Sequence, residues 1–283
     1  MTTTPLIEVR NLCFSYQFGK KALDDVQMAI PRGARVAFVG SNGAGKSTLF
    51  LHLNAILKPQ AGNLFYDGQI YEYSRSFVAM LRQKVGLVFQ DPDIQLFAGN
   101  VFDDVLFGPM NLGLAPDVAR SQAEKALIAV QMLEYGDKPA HFLSHGQKKR
   151  VAIAGVLAME PDVLVMDEPT AGLDHPGILN LNEIMAKLYA QGKTLVVATH
   201  DINWAWGWAD LVYVLDQGRV VMGGAPDDIL NRSNHTQLGY DRPILGEVCA
   251  QLEKNHLVLP GQQPLPRSAT ELVDLLIAQR EHF

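Results

Sequence analysis

Short apolar runs alternate with amphipathic segments through most of the chain, and the length of a run separates predicted strands from predicted helices. The compact apolar runs lack alternating polar positions, which predicts strands that are buried on both faces. Leu49, Leu53 and Leu57 recur at helical spacing after the first of these runs, and residues 176–190 also predict a helix. Covered strands connected by helices indicate an α/β fold with a mostly parallel core sheet. The predicted core strands are residues 35–39, 85–89, 163–166, 194–199 and 211–215.

An antiparallel β region is predicted from the segments around the first core strand. Residues 6–14 are mostly apolar with β-branched side chains, and residues 24–30 predict a second short strand. Residues 61–73 predict a hairpin, because Asp67 and Gly68 are typical of a tight turn between two strands.

The pattern changes after residue 90, where helical segments replace the strands. Residues 119–133 are rich in alanine and predict a helix, and residues 147–159 predict another. We therefore expect a helical subdomain, roughly residues 91–160, inserted into an α/β domain that spans residues 5–233.

The periodicity weakens beyond about Ser233, and we expect residues 234–283 to form a C-terminal extension. Residues 259–266 contain three prolines and a glycine and predict a linker, while residues 269–280 predict a final helix. We expect the extension to reinforce a dimer.

The composition and net charge of the chain exclude some classes of function. The chain has 283 residues, of which 48% are hydrophobic and 19% charged, as in ordinary globular proteins. A net charge of −6 argues against a nucleic-acid partner, which would require a basic domain or stripe. Lys148, Lys149 and Arg150 form too short a basic run to follow a phosphate backbone, so no nucleic-acid partner is expected.

No apolar run approaches the roughly 20 residues of a membrane-spanning helix, and the first residues do not resemble a secretion signal. Cys13 and Cys249 match no metal-ligand spacing. These features predict a reduced, cytosolic chain.

A glycine-rich loop follows the first core strand and matches the GxxxxGK[ST] pattern. Glycines let consecutive backbone N–H groups turn toward phosphates, and the N-terminus of the following helix adds partial positive charge. Lys46 is expected to reach the β- and γ-phosphates of ATP, and Ser47 to ligate Mg²⁺. The alternative is a glycine-rich turn without a ligand, which the strand-loop-helix context disfavours. The predicted phosphate-binding residues are Gly40, Ser41, Asn42, Gly43, Ala44, Gly45, Lys46, Ser47 and Thr48.

Asp167 and Glu168 directly follow the buried strand at residues 163–166. Two carboxylates in this position are costly unless a cation or a solvent-filled cleft receives them. In phosphate-loop folds the first carboxylate belongs to the Mg²⁺ shell, and Glu168 then lies where it can polarise a water aimed at the γ-phosphate. The alternative is that both cap a following helix, with Pro169 at its first position.

His200 follows the strand at residues 194–199 in the same way. A lone histidine at a strand end is more often structural than catalytic. Parallel strands, however, present their C-terminal ends at one edge, where such sheets bind ligands. Gly40, Asp167 and His200 are expected to meet at this edge, and His200 to contact the γ-phosphate.

Residues 143–150, with the sequence LSHGQKKR, open a predicted helix for which Ser144 is a good N-cap. Three basic residues follow near the start of this helix, where the helix dipole disfavours cations. Taken alone, these residues leave two interpretations open: a solvated basic face, or a helix start that binds an anion.

This segment resembles the LSGGQ signature of ABC ATPases, and the other motifs of that family follow in order over residues 6–230. Tyr16 resembles the aromatic residue that stacks on adenine, Gln90 the Q-loop glutamine and His200 the switch histidine. Residues 171–174, AGLD, resemble the D-loop.

The resemblance implies a P-loop NTPase fold, ATP and Mg²⁺ as ligands, and a head-to-tail pair with a second ATPase subunit, which we expect to be an identical copy. In such a pair, Ser144, Gly146 and Gln147 contact the γ-phosphate held by the other subunit's Lys46, and Asp174 communicates between the sites. The implied catalytic residues are Lys46, Gln90, Glu168 and His200, and the implied Mg²⁺ ligands are Ser47, Gln90 and Asp167.

Two positions depart from the family pattern. Ser41 replaces the usual proline, which we expect to matter little. His145 replaces the usual glycine of the signature, and its bulk is expected near the approaching phosphate. Gly146 retains the possibility of a close backbone contact, so an active site is expected.

The segment FQDPDIQLF at residues 89–97 resembles a narrower group, the ATPases of energy-coupling-factor importers. His145 and residues 148–155 are most similar to the cobalt/nickel importer ATPases. This implies a transmembrane coupling subunit, a substrate-binding membrane subunit, and a peripheral position on the cytoplasmic face of the cell membrane. The alternatives are the ATPase of a vitamin importer, a soluble ABC ATPase without a transport role, and a small-molecule kinase, which would not need the signature.

Four aspartates near Gln90 are candidates for contact with arginines of the membrane partner. The alternative is local: Asn100 caps a helix whose third position is Asp103. The four are Asp91, Asp93, Asp103 and Asp104. Three tryptophans, Trp204, Trp206 and Trp208, suggest a ligand site, but core packing is the expectation.

Overall fold

The computed structural model describes residues 4–17, 19, 21–230, 242–255, 257 and 264–280. The strands are β1 (Ile7–Ser15), β2 (Lys21–Ile30), β3 (Arg35–Val39), β4 (Ala61–Tyr66), β5 (Gln69–Ile70), β6 (Val85–Val88), β7 (Val163–Asp167), β8 (Thr194–Thr199), β9 (Leu211–Asp216) and β10 (Arg219–Gly224). The helices are α1 (Lys46–Leu53), α2 (Arg75–Lys84), α3 (Val101–Asn111), α4 (Pro116–Ala129), α5 (His145–Leu157), α6 (His175–Ala190), α7 (Ile202–Trp208), α8 (Pro226–Leu230), α9 (Ile244–Lys254) and α10 (Ala269–Arg280).

A six-stranded sheet forms the centre of the α/β part, with the strand order β10-β9-β3-β8-β7-β6. All neighbouring pairs are parallel except β9 and β10, which confirms the mostly parallel core sheet. Val39 pairs with Thr199, and Asp167 pairs with Ala198, so β3, β7 and β8 end together. The residues that follow these three strands therefore lie at one edge of the sheet.

The predicted antiparallel region is a four-stranded sheet with the order β2-β1-β4-β5. The hairpin turns at Asp67 and Gly68 as predicted, although its second strand is only Gln69–Ile70. Its buried side chains share one hydrophobic core with α1, as Leu12 and Leu49 illustrate. This packing holds the end of β1 beside the start of α1.

Three helices form the predicted helical region, because α3, α4 and α5 pack against one another. Their apolar faces, with Val105, Leu127 and Val151, join the second core of the chain. Helix α4 ends at Ala129, earlier than the predicted Leu133, because Gln131 has a left-handed backbone with φ of 57°.

One other predicted helix boundary was wrong, and several elements, including α8 and β10, were not predicted. Helix α1 ends at Leu53, not Leu57, because the chain turns at Ala55 with φ of 53°. Helix α2, which Ser74 caps by accepting from Phe77 N, was not predicted, and neither was α9.

The final helix α10 matches the predicted residues 269–280. Most of the predicted linker at residues 259–266, and the boundary near Ser233, lie outside the described residues.

The tryptophans of α7 belong to the core, as expected. Trp206 is 1% exposed, and its indole N–H donates to Pro266 O. The rings of Trp204 and Trp208 stack with centroids 4.8 Å apart. Among the described residues, no helix combines the length and the apolar character that crossing a membrane requires.

Candidate nucleotide-binding site

The glycine-rich loop occupies the turn between β3 and α1, at the edge where the parallel strands end. Gly45 precedes the first helical residue with φ of 108°, and a Cβ atom there would lie 2.6 Å from the backbone oxygen of Ala22. Only glycine satisfies both constraints. The loop thus reaches the helix start that the motif predicts.

Lys46 curls back over the loop. Its Nζ atom donates to Gly40 O at 2.6 Å and to Ser41 O at 3.2 Å. Burial lowers the pKa of Lys46, and the carboxylates of Glu168 and Asp167 oppose this effect. The ammonium is therefore held at the loop's centre by neutral carbonyls that an anionic ligand can replace.

Most of the predicted phosphate-site residues line one cavity of about 350 Å³. Ala22 of β2 also lines it, which the sequence did not indicate. The lining residues are Tyr16, Ala22, Asn42, Gly43, Ala44, Gly45, Lys46, Ser47, Thr48, Gln90, Asp167 and Glu168.

Asp167 ends β7 and its carboxylate accepts a hydrogen bond from the Ser47 side chain. Burial and the neighbouring Glu168 raise the pKa of Asp167. The helix-capping alternative was wrong, because the next helix begins only at His175 and Asp174 caps it. The carboxylate and the hydroxyl instead form an oxygen-donor set that faces the cavity.

Glu168 has a left-handed backbone with φ of 45° and is 6% exposed. This conformation is uncommon for a residue with a side chain and is typical of functional turns. The turn brings the Glu168 Oε2 atom 2.9 Å from the Nδ1 atom of His200. Glu168 and His200, both predicted as site residues, therefore contact each other.

Tyr16 directly follows β1 and also lines the cavity. Its hydroxyl is 3.2 Å from the Thr48 hydroxyl, and its ring packs edge-on against Phe14 with centroids 5.1 Å apart. Phe14 packs in turn on His52, whose Nδ1 atom bonds to Thr48 O. This aromatic support, which the sequence analysis missed, leaves Tyr16 49% exposed beside the loop.

The signature residues are not in this cavity. Ser144 caps α5: its hydroxyl oxygen accepts from Gln147 N, and the Gln147 side chain accepts from Ser144 N. Ser144, Gly146, Gln147 and Asp174 line a second cavity of about 250 Å³, which shares no lining residue with the first. Asp174 also caps α6 by accepting from Gly177 N.

His145 turns toward its own chain. Its ring lies against Gly172, where a Cβ atom would approach the Nε2 atom to 3.0 Å. With Gln90, Asp91 and Asp167, it lines a third cavity of about 490 Å³. Gln90 lines both this cavity and the phosphate-loop cavity.

The ABC transporter family model matches residues 23–171, which is more than half of the chain. The chain belongs to the ABC transporter ATPases.

Two curated relatives of this ABC ATPase match nearly their full length. An energy-coupling factor transporter ATP-binding protein of Carboxydothermus hydrogenoformans is 47% identical and covers 87% of this chain and 91% of the relative. A cobalt import ATP-binding protein of Rhodobacter capsulatus is 44% identical and covers 95% of this chain and 96% of the relative.

Two solved structures share the fold. One, from Clostridium perfringens, is part of the ABC transporter complex cbiONQ; it has 41% identity and a TM-score of 0.74, covering 87% of this chain and 99% of that chain. The other is a dimeric ATP-binding cassette bound to ADP and phosphate, with 27% identity and a TM-score of 0.71, covering 78% and 98%. The fold and the motifs thus agree with an ABC-type ATPase.

The basic residues after the signature are not a solvated face in this ABC ATPase. Lys148 pairs with Asp93 at 2.7 Å. Lys149 is 1% exposed, and its Nζ atom donates to Glu168 O and to Ala171 O at 3.0 Å each. Burial lowers the pKa of Lys149 to about 8.

Two of the four aspartates proposed to contact the membrane partner, Asp103 and Asp104, make local hydrogen bonds within their own chain. Asn100 Oδ1 accepts from Asp103 N, which caps α3, and Asn100 Nδ2 donates to Asp103. Asp104 is buried and accepts from Phe97 N and Ala98 N at 2.9 Å each. Asp91 accepts from Asp93 N in its own turn and is exposed.

Proposed function

We propose that this ABC ATPase works as one of two identical ATP-hydrolysing subunits in an energy-coupling-factor importer for cobalt or nickel ions. The two subunits would meet head to tail and enclose ATP between the phosphate loop of one and the signature of the other. The subunits would lie on the cytoplasmic face of the membrane, bound to a coupling subunit and a substrate-binding subunit.

The separation of the two cavities carries this proposal. One chain presents the phosphate loop and the signature helix in cavities without a common lining residue. The start of α5 is therefore free to serve a phosphate that its own Lys46 does not hold. The similar cassette bound to ADP and phosphate is dimeric, which supports a pair of ATPase subunits.

The residues of the first cavity have the roles that ATP hydrolysis needs. Tyr16 offers a ring face to the base, and backbone N–H groups of residues 42–48 face the phosphates. Lys46 would exchange its two carbonyl partners for phosphate oxygens. Glu168 would accept a proton from the attacking water, and His200 would hold the Glu168 carboxylate and contact the γ-phosphate.

The donor set also fits Mg²⁺, a hard cation that prefers oxygen ligands. The Ser47 hydroxyl and the Asp167 carboxylate are already in contact, and Gln90, which carries an amide oxygen, lines the same cavity. When bound, the ion would neutralise charge on the transferred phosphoryl group. Burial raises the pKa of Asp167, so a cation would also relieve the cost of its charge.

A groove of about 480 Å³ between α3, α5 and the core sheet is the proposed contact with the membrane coupling subunit. Phe97 and Phe107 are exposed there and pack edge to face with centroids 4.7 Å apart. Asp104 also lines the groove, and its Oδ2 atom has no hydrogen-bond partner among the described residues. An apolar helix that carries a basic side chain would complement this surface, with Asp91 nearby as a second acidic contact.

Dimerisation tests the first part of the proposal. Glu168→Gln should retain ATP and form dimers with ATP and Mg²⁺, measured by light scattering after size-exclusion chromatography. Adding Ser144→Arg should abolish these dimers without loss of ATP binding, because it blocks the signature cavity. A Glu168→Gln chain that stays monomeric at saturating ATP would refute the pairing.

Reconstitution tests the transport part. The chain should co-purify with a coupling subunit and a substrate-binding subunit from membranes of its host, and vesicles of the complex should take up ⁵⁷Co²⁺ or ⁶³Ni²⁺ only with ATP. Uptake of a vitamin instead would change the cargo and leave the ATPase role intact. Asp91→Lys should weaken assembly with the coupling subunit, whereas unchanged assembly would exclude Asp91 from the contact.

A further inference from the structure

Lys149 occupies a position where the burial of its charge costs folding free energy. Its side chain is 1% exposed, although the residue sits only five positions after the Ser144 cap, near the positive end of the helix dipole. Burial of an ammonium group is costly unless hydrogen bonds compensate it. The compensation here comes from two backbone carbonyls on another segment, not from a bonded carboxylate.

Both carbonyls belong to the turn that positions the proposed general base. Lys149 Nζ donates to Glu168 O and to Ala171 O at 3.0 Å each. Ala171 N donates to the same Glu168 oxygen at 3.1 Å, so this carbonyl accepts two hydrogen bonds. The ammonium therefore holds both ends of the turn of residues 168–171 by hydrogen bonds.

This turn requires support because its backbone is strained. Glu168 has φ of 45°, a left-handed conformation that is sterically unfavourable for a residue with a side chain. A left-handed backbone at a residue with a side chain persists only when surrounding contacts determine it. Glu168 N at the start of the turn donates to Ala198 O of β8. Lys149 of α5 donates to Glu168 O and to Ala171 O at the end of the turn.

We propose that Lys149 is a positioning residue for ATP hydrolysis, which ties the signature helix to the backbone turn of Glu168 in the same chain. This inference rests on the proposed function, because Ser144 at the start of α5 would contact the partner's nucleotide. The helix that would touch one ATP molecule is thereby fixed to the backbone turn of Glu168, the residue that would accept a proton from the water attacking the other. If α5 moves when it contacts the partner's nucleotide, the Lys149 side chain transmits that movement to the turn of Glu168.

Lys149→Met tests the tie, since methionine fills similar space without donating a hydrogen bond. Methionine removes the buried charge but leaves Ala171 O without this donor, so a moderate loss of stability is expected as well. We expect kcat for ATP to fall by up to about 100-fold, as for other misplaced catalytic groups, while KM stays near wild type. Lys149→Arg, which retains donors and charge, should recover part of the lost kcat.

Two lysines offer matched controls. Lys148→Met removes the same charge from the adjacent position of α5, where the lysine pairs with Asp93. Lys193→Met removes a lysine that also donates to a backbone carbonyl, Pro161 O at 2.7 Å, far from the Glu168 turn. Both should retain the kcat of the wild type.

Hydrogen exchange of the nucleotide-free protein gives an independent readout. The amides of residues 168–174 should exchange faster in Lys149→Met than in the wild type or either control, because the turn loses the hydrogen bonds from Lys149. A wild-type kcat in Lys149→Met would overturn the proposal, whatever the exchange data show. If Lys149→Met does not fold, Lys149→Gln replaces it, since its shorter amide cannot bridge both carbonyls; wild-type kcat in that variant would equally overturn the proposal.

Different results would refute the proposed ATPase function and the proposed role of Lys149. If the wild type does not hydrolyse ATP, the proposed function is refuted, whatever the exchange data show. If the wild type hydrolyses ATP and Lys149→Met matches it, only the tie is refuted.

Discussion

The Nδ1 atom of His200 lies 2.9 Å from the Oε2 atom of Glu168, and the two side chains differ sharply in exposure. The Glu168 side chain is 8% exposed, whereas that of His200 is 67% exposed. The buried carboxylate is thus held by a residue that an incoming group can reach. Contact with the γ-phosphate or with a second subunit would act first on His200 and through it on Glu168.

Glu168→Gln should reduce ATP turnover by about 10²- to 10⁴-fold, the usual contribution of a positioned base, because an amide cannot accept the proton. Nucleotide affinity should stay close to the wild-type value, since Lys46 and the loop are unchanged. Steady-state phosphate release and equilibrium ATP binding measure the two effects. Glu183→Gln, on the exposed face of α6, is the control, and undiminished hydrolysis in Glu168→Gln would remove Glu168 from the role.

Lys46→Ala should instead weaken ATP binding itself. Loss of charge-assisted hydrogen bonds to phosphate costs about 1.5–3 kcal/mol, which corresponds to roughly a tenfold or greater rise in Kd. Isothermal titration with ATP measures this rise. Lys187→Ala, in the last turn of α6, should bind as the wild type does, and equal affinity in Lys46→Ala would contradict the assignment.

Tyr16→Ala should weaken ATP binding by about 1–3 kcal/mol, the usual value of stacking between an aromatic ring and a base. Tyr16→Phe should retain nearly all of the affinity, because the ring is kept and the lost hydroxyl contact with Thr48 is partly exposed. Equal losses in the two variants would show that the hydroxyl, and not the ring, holds the nucleotide. A fluorescent ATP analogue in competition with ATP provides the measurement.

Asp104→Ala should destabilise the fold by about 1–3 kcal/mol, because it leaves the N–H groups of Phe97 and Ala98 without an acceptor. Asp103→Ala should change stability by only about 0.5 kcal/mol, since its carboxylate is exposed and its hydrogen bond is with the neighbouring Asn100. Urea unfolding of both variants gives the comparison. Equal stability of the two would contradict the local role of Asp104.

The Arg35–Asp210 ion pair predicts a pH dependence of stability. Burial raises the pKa of Asp210, but hydrogen bonds from the Arg35 side chain and backbone outweigh it and lower the pKa below the ordinary 3.8. A lowered pKa in the folded state stabilises the fold above about pH 4, and this contribution is lost as the pH falls through the folded value. Asp210→Asn should therefore be less stable than the wild type at pH 7, with a gap that closes toward pH 3 in urea titrations. A gap that is constant with pH would exclude the linkage.

The sequence predicts the core sheet and the contents of the phosphate-loop cavity well, because both depend on short local patterns. The strand at residues 35–39, the glycine loop and the start of α1 are contiguous, so their geometry follows from spacing alone. The parallel strand ends then bring Asp167 and His200 to the loop.

Helix boundaries and long side chains escaped prediction for a physical reason. The apolar repeat continues to Leu57, but a left-handed turn at Ala55 stops α1, and such a turn has no strong local signal. Helix α2 is partly polar, and only Phe77 and Leu81 are buried. Lys149 is indistinguishable in sequence from its neighbour Lys148, since the direction of a lysine side chain depends on packing between segments distant in the chain.

Placement of the loop and the signature in separate cavities has a genetic consequence. In a head-to-tail pair, a substitution of Lys46 would inactivate the nucleotide site on its own phosphate loop. A substitution of Ser144 would inactivate the site on the partner's phosphate loop. A defective allele would thus disable assemblies that also contain an intact copy. Such alleles would behave as dominant inhibitors of uptake in cells that still produce the normal protein.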